Sequence, residues 1–194
     1  AVSMLVSLGI IEGKPDGSYA PTENVDRAQM AKMLSVIMNK GVDNSALYQS
    51  VNSGLTDITS NWAKGHINYC YTTGIIAGRG NGTFDPSATV TALEAAKMLL
   101  VAVGYDPKIE GFEGADWAIN VSVRADEQGI FEGFTKDLSA PLNRDDAALL
   151  IYNALDVEMI QSYTTNNYPI VYSDHRTILS DKYGAVSYTH LTLP

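Results

Sequence analysis

Two arginines stand directly behind helix-capping residues. Arg27 lies in Val25-Asp26-Arg27-Ala28-Gln29, and Arg144 in Leu142-Asn143-Arg144-Asp145-Asp146. The matching place in a third copy reads Val90-Thr91-Ala92-Leu93-Glu94 and holds no cation. Asp26, Thr91 and Asn143 are good N-caps. Three residues on, Gln29, Glu94 and Asp146 complete capping boxes or come close to it. A cation at the first helical position opposes the helix dipole, which favours negative charge there. Two roles fit such an arginine. It is either a solvated surface group tolerated at small cost, or it joins the helix-end N–H groups in a pocket for a carboxylate or phosphate. Recurrence in two of three copies favours the pocket.

Other chemistries lack their residues. His66, His175 and His190 have no Cys or His partner at metal-ligand spacing and no nucleophile motif beside them. His66 is expected on a helix surface. The pairs Asp126-Glu127 and Asp145-Asp146 are adjacent, so on a helix they point about 100° apart and cannot act across a cleft. Asp16, Asp57 and Asp85 are explained by turn and cap roles without calcium. Cys70 stands alone in an apolar helical pattern and is expected to be a buried, inert thiol. The expectation is a non-enzyme with no metal and no cofactor. A net charge of −9 argues against a nucleic-acid partner, and no apolar run of about 18 residues offers a membrane span.

The elements that must position the arginines are spelled three times. Gly9-Ile10-Ile11-Glu12-Gly13 leads to Pro21, Gly74-Ile75-Ile76-Ala77-Gly78 to Pro86, and Gly129-Ile130-Phe131-Glu132-Gly133 to Pro141. Trp62 and Trp117 each lie twelve residues before their loop glycine, Gly74 or Gly129, and each is followed by alanine. A unit of about 45 residues results, in the range of repeat architectures. One helix runs from the tryptophan to the loop. A turn built on Asp16-Gly17 or Asn81-Gly82 follows, and then a second, amphipathic helix. Two short helices bury no core alone, so the copies must pack on one another in an all-α domain.

These residues resemble the S-layer homology (SLH) repeat, whose pattern is a Trp-Ala helix start, a glycine loop with a Gly-x-Phe-x-Pro end, and a Thr-Arg-Ala-Glu cap. The resemblance covers residues 1 to about 157. It implies three tandem helix-loop-helix repeats packed as a pseudo-threefold helical prism, with grooves between neighbouring repeats. It also implies that the grooves bind secondary cell-wall polysaccharide bearing ketal-linked pyruvate. The protein would then sit outside the cell, anchored non-covalently to the wall, with neighbouring lattice subunits as further partners. On the family pattern, Arg27 and Arg144 match the arginine that meets the pyruvate carboxylate. Trp62 and Trp117 match the aromatic that stacks on a sugar, though a core-anchoring role fits them equally. Gly13, Gly78 and Gly133 either let the sugar approach the backbone or supply positive φ, and the second is favoured. Lys14 and Arg79 add cationic reach or are solvated turn residues.

The implied division is 1–41, a repeat short of its first helix; 55–104; 114–157; then 158–184, a linker or the start of a following domain; and 185–194, an unrelated tail. Ala92 leaves one groove without its carboxylate clamp. Pro141 stands only three residues before Arg144, where the other prolines stand six before the matching position, and this could re-aim Arg144. At most two working sites are expected, with Arg27 the better formed. Two other functions compete with anchoring by glycan: an accessory module of a larger surface hydrolase or adhesin, and a structural repeat that contacts protein.

Overall fold

The computed structural model describes residues 1–14 and 16–184; the tail at 185–194 falls outside them. The described chain is mostly helical. Its helices are α1 (Val2–Ser7), α2 (Arg27–Met38), α3 (Lys64–Thr72), α4 (Ala92–Val103), α5 (Trp117–Glu127), α6 (Arg144–Ala154) and α7 (Ile178–Tyr183). A two-stranded antiparallel hairpin, β1 (Ile160–Tyr163) and β2 (Pro169–Val171), stands between the last two helices.

The caps form as the residue types require. The Asp26 carboxylate accepts from the Gln29 amide and the Thr91 hydroxyl from the Glu94 amide, and both boxes close reciprocally; Asn143 caps Asp146 one way only. The Asp146 carboxylate accepts from Lys136 instead. Just before the caps, three apolar residues lock the three segments together. Val25 N–H donates to Leu142 O (2.8 Å), Leu142 N–H to Val90 O (2.7 Å), and Val90 N–H to Val25 O (2.9 Å), a closed ring of backbone bonds. All three side chains are buried, which keeps water from competing for the ring.

Outside the ring, each second helix packs on the first helix of another segment: α2 on α3, α4 on α5, and α6 on α1. Leu5, Met30, Leu34, Phe84, Leu99, Phe112, Ile130 and Ile151 fill the space between them. At about 1.5–3 kcal/mol per large buried side chain, this shared core holds the segments together more strongly than their loops do. Gly65 shows how closely the pieces approach, since a Cβ there would stand 2.1 Å from Ser45 O. Residues 158–184 pack on the same core. Ile178 and Leu179 are buried, Leu179 N–H donates to Leu155 O, and β1 crosses Gly104 so closely that a Cβ would meet Ile160 O at 2.9 Å.

Two sequence expectations change here. His66 is not on a helix surface: it is 4% exposed, with Nδ1 2.6 Å from Ser35 Oγ and Nε2 3.7 Å from Asp43 Oδ2. Ser35 donates its own proton to Lys32 O, so it accepts from the imidazole. Burial pushes the His66 pKa below its ordinary value. Pro141 is not the counterpart of Pro21 and Pro86. Ala28 N–H donates to Pro86 O and Asp145 N–H to Pro21 O, whereas Leu93 N–H donates to Leu138 O, so Leu138 takes that place. The shortening of the third loop lies upstream of Leu138, and the Asn143 cap and Arg144 are not re-aimed by it. Cys70 is buried, and burial pushes its thiol pKa up, as an inert thiol requires.

Candidate functional site

The seven residues singled out by spacing do not meet within their own segments. They meet between segments, in sets drawn from three. One groove of about 440 Å³ joins Gly13 and Lys14 of the first loop, Gln29 and Lys32 of α2, Trp62 just ahead of α3, and Arg144 at the start of α6. A second, of about 580 Å³, joins Gly78 and Arg79 of the second loop, Glu94 and Lys97 of α4, Trp117 at the start of α5, and Arg27 at the start of α2. The two sets correspond position by position. The third loop contributes Gly133, which faces the aliphatic Leu149 where the grooves have Lys32 and Lys97. Ala92, the first residue of α4, takes the arginine's place there.

Both arginines do the same local work. Arg27 Nε donates to Phe84 O and Nη2 to Ala77 O, each at 2.9 Å, with the guanidinium 4.4 Å over the Phe84 ring. Arg144 Nε donates to Tyr19 O at 2.8 Å and Nη2 to Glu12 O at 2.9 Å, with its guanidinium 5.0 Å over the Tyr19 ring. Each therefore fastens its helix start to the loop of another segment. They differ in exposure. Arg27 is only 4% exposed, and burial, reinforced by nearby Arg79, pushes its pKa down to about 10. Its Nη1 sits 3.8 Å from Glu94. Arg144 is half-buried, and its Nη1 meets no carboxylate among the described residues.

The helix-end N–H groups are spent on assembly, which corrects the expectation that they would line an anion pocket. The amides of Arg27 and Ala28 donate to Ala88 O and Pro86 O, and those of Arg144 and Asp145 to Glu23 O and Pro21 O. The cation at the first helical position is thus tolerated because loop carbonyls, not the dipole alone, set the local field. What the grooves offer a ligand is side chains. Trp62 is 58% exposed, a flat ring open to solvent, while Trp117 is half-buried beneath Lys97, whose Nζ lies 5.6 Å over it. Lys97 also donates to Phe112 O at 2.5 Å, and burial pushes its pKa down. Lys32 pairs with exposed Glu12 at 3.0 Å, and Lys14 pairs with Glu23.

Gly13 and Gly78 are not at positive φ, against expectation; only Gly133 is, at +76°. Their smallness is required by a tight turn instead. Lys14 N–H donates to Ser18 O and Arg79 N–H to Thr83 O, which brings those carbonyls to 3.3 Å and 2.8 Å from where a glycine Cβ would stand. Sequence reasoning missed Lys32 and Lys97 and the rings of Tyr19 and Phe84. The recurring Ala-Lys-Met-Leu of α2 and α4 was the available signal for the lysines. Asp16 serves its turn, accepting from Ser18 N, whereas Asp57 serves no local turn: it accepts from the Phe84 and Asp85 amides of the second loop, 27 and 28 residues away. No group of three metal-ligating side chains occurs among the described residues.

Interlocked helix-loop-helix segments thus frame two grooves lined by aromatic and cationic side chains. The family model of the S-layer homology domain matches residues 1–31 and 54–96, and the chain carries that domain. It is similar to a cell surface protein of Thermoanaerobacter kivui, 30% identical over 83% of this chain and 20% of that protein. It is also similar to the S-layer protein EA1 of Bacillus anthracis, 32% identical over 57% of the chain and 12% of that protein. An amylopullulanase of Thermoanaerobacterium thermosulfurigenes is 29% identical over 80% of the chain and 9% of the enzyme. The chain thus spans a fifth or less of the length of these relatives.

Proposed function

We propose that this chain is a non-covalent anchor that holds a surface protein to the bacterial cell wall by binding an acidic wall polysaccharide, its pyruvate ketals included. The observation that carries this is the groove built twice to one plan: a tryptophan face, a loop turn closed by glycine, a lysine from the second helix and an arginine from a third segment. A flat ring covers a sugar face, and cations a few ångströms away suit a carboxylate displayed on that sugar. In this reading 1–41, 55–104 and 114–157 are three repeats around a pseudo-threefold axis that passes through the Val25–Leu142–Val90 ring. The ligand residues are Trp62, Trp117, Arg144 and Arg27, with Gly13 and Gly78 shaping the loop. Gly133 takes the matching place in the third loop, where Ala92 and Leu149 stand in place of the arginine and lysine of the two grooves.

The protein would work outside the cell, at the wall. What it carries is open between an S-layer subunit and an enzyme, since its relatives bear both kinds of name. The test is sedimentation with isolated Gram-positive walls before and after acid removal of pyruvate. The chain should pellet with the first and stay in solution with the second, and Lys32→Ala with Trp62→Ala should weaken pelleting without unfolding. Equal pelleting with depyruvylated walls would contradict the pyruvate part of the proposal.

A further inference from the structure

Residues 158–184 lie beyond the two segments that match the family model, and none of them lines either groove. They are nevertheless tied to a wall of each. For the first groove the tie is Tyr183 of α7, half-buried against the turn that ends α2, with its hydroxyl donating to Ile37 O at 3.4 Å. A Cβ on Gly41 would collide with Leu8 O and stand 3.6 Å from the Tyr183 ring, and one on Gly9 would stand 3.1 Å from Gly41 O. Gly41 is thus wedged between Tyr183 and the Leu8-Gly9 step. The residues that follow, from Ile10 to Lys14, form one wall of the Trp62–Arg144 groove.

For the second groove the tie is Tyr163 of β1, which grips a turn at both ends. Its hydroxyl accepts from the Asp106 amide at 2.9 Å and donates to Glu110 Oε1 at 3.0 Å. Glu110 Oε2 takes Nε and Nη2 of Arg124, at 3.0 and 2.8 Å, and so binds the turn to α5, the helix that begins with Trp117. The turn closes with Phe112 N–H on Pro107 O. Phe112, Glu113 and Gly114 then line the Trp117–Arg27 groove, where Lys97 donates to Phe112 O.

We infer that residues 158–184 are part of the binding module rather than a linker: Tyr183 positions a wall of the Trp62–Arg144 groove, and Tyr163 a wall of the Trp117–Arg27 groove. This rests on the acidic-glycan reading above and adds two positioning residues that touch no ligand. A wall already held in its binding geometry leaves less to be ordered when the sugar arrives, which tightens binding.

The chain contains two tryptophans, one in each groove, so each indole N–H reports its own site. The experiment is a titration of the chain, ¹⁵N-labelled at the indoles, with a methyl hexoside carrying a 4,6-linked pyruvate ketal; Trp62→Phe assigns the two resonances. Tyr163→Phe should raise the Trp117 midpoint about threefold to tenfold and spare that of Trp62, and Tyr183→Ala should do the reverse. Tyr183→Phe keeps the ring on Gly41 and should keep the midpoint. Without ligand, Tyr163→Phe should lower the exchange protection of the Phe112 amide, and Tyr183→Ala that of the Ile10 amide. Variants that lose stability yet keep both midpoints would overturn this inference and leave the glycan reading standing. Indoles that stay still in the unaltered chain would overturn the glycan reading, and with it the tyrosines' part in binding.

Discussion

The Trp62–Arg144 groove and the Trp117–Arg27 groove share a plan, and they differ in how far that plan is given over to holding the fold. In the second, Arg27 is buried against Phe84, Glu94 is locked between the Thr91 cap and Arg79, and Lys97 reaches down to Phe112 O. In the first, Arg144 is half-buried, Tyr19 returns a hydrogen bond from its hydroxyl to Arg144 O, and Lys32 meets only an exposed glutamate. One repeated sequence thus yields one groove whose cations are held by partly buried partners and another whose lysines are held only by exposed carboxylates. Internal satisfaction stabilises; open charge costs some stability and leaves binding capacity.

The widest gap between the grooves should be in stability. Arg27→Ala strips the partners from two carbonyls in a dry site and leaves a void, which should cost about 3 kcal/mol or more in urea unfolding. Arg144→Ala, where water can reach the freed carbonyls, should cost about 1 kcal/mol. Equal losses would erase the distinction drawn between the two arginines. The turn glycines should follow the same order at smaller scale. A Cβ on Gly78 would meet Thr83 O at 2.8 Å and Leu55 at 3.2 Å, whereas one on Gly13 meets Ser18 O at 3.3 Å. Gly78→Ala should therefore lower stability by roughly 1–3 kcal/mol, and Gly13→Ala by under about 1 kcal/mol.

Acid should separate the two sides more gently. Behind Trp62, one turn along, lies buried His66; behind Trp117 the same step reaches Val121, buried and without charge. Because burial holds the His66 pKa below 6.5, the unfolded chain takes up the proton first. Stability contributed by neutral His66 is therefore present above pH 6.5 and declines as pH falls below it. Protection of α3 amides, corrected for the slower intrinsic exchange in acid, should fall between pH 7.5 and pH 5 while that of α5 does not, and His66→Leu should flatten the response. An α5 that loosens in step with α3 would assign the acid sensitivity elsewhere.

Much of this architecture was legible in the chain. The caps at Asp26, Thr91 and Asn143 follow from local chemistry, as do the Asp16-Gly17 and Asn81-Gly82 turns, because a residue and its near neighbours decide both. The grooves were legible as residue types but not as sets. Arg144 serves the first loop and Arg27 the second, and such pairing depends on which segments touch, which no local spacing encodes. His66 was misplaced for the same reason: a lone histidine in α3 reads as surface until Ser35 of α2 is known to face it. Pro141 misled because a proline at equal spacing looks equivalent, whereas the backbone bonds of Pro21, Pro86 and Leu138 reveal a three-residue deletion earlier in the loop.

The central claim is that the first groove carries most of the binding to an acidic wall glycan. Wall sedimentation of Trp62→Ala beside Trp117→Ala tests it most directly, each protein first checked for an unchanged fold by circular dichroism. Trp62→Ala should lose most of its binding to pyruvylated walls, and Trp117→Ala should keep most of it. Equal losses, or a greater loss in Trp117→Ala, would contradict the account.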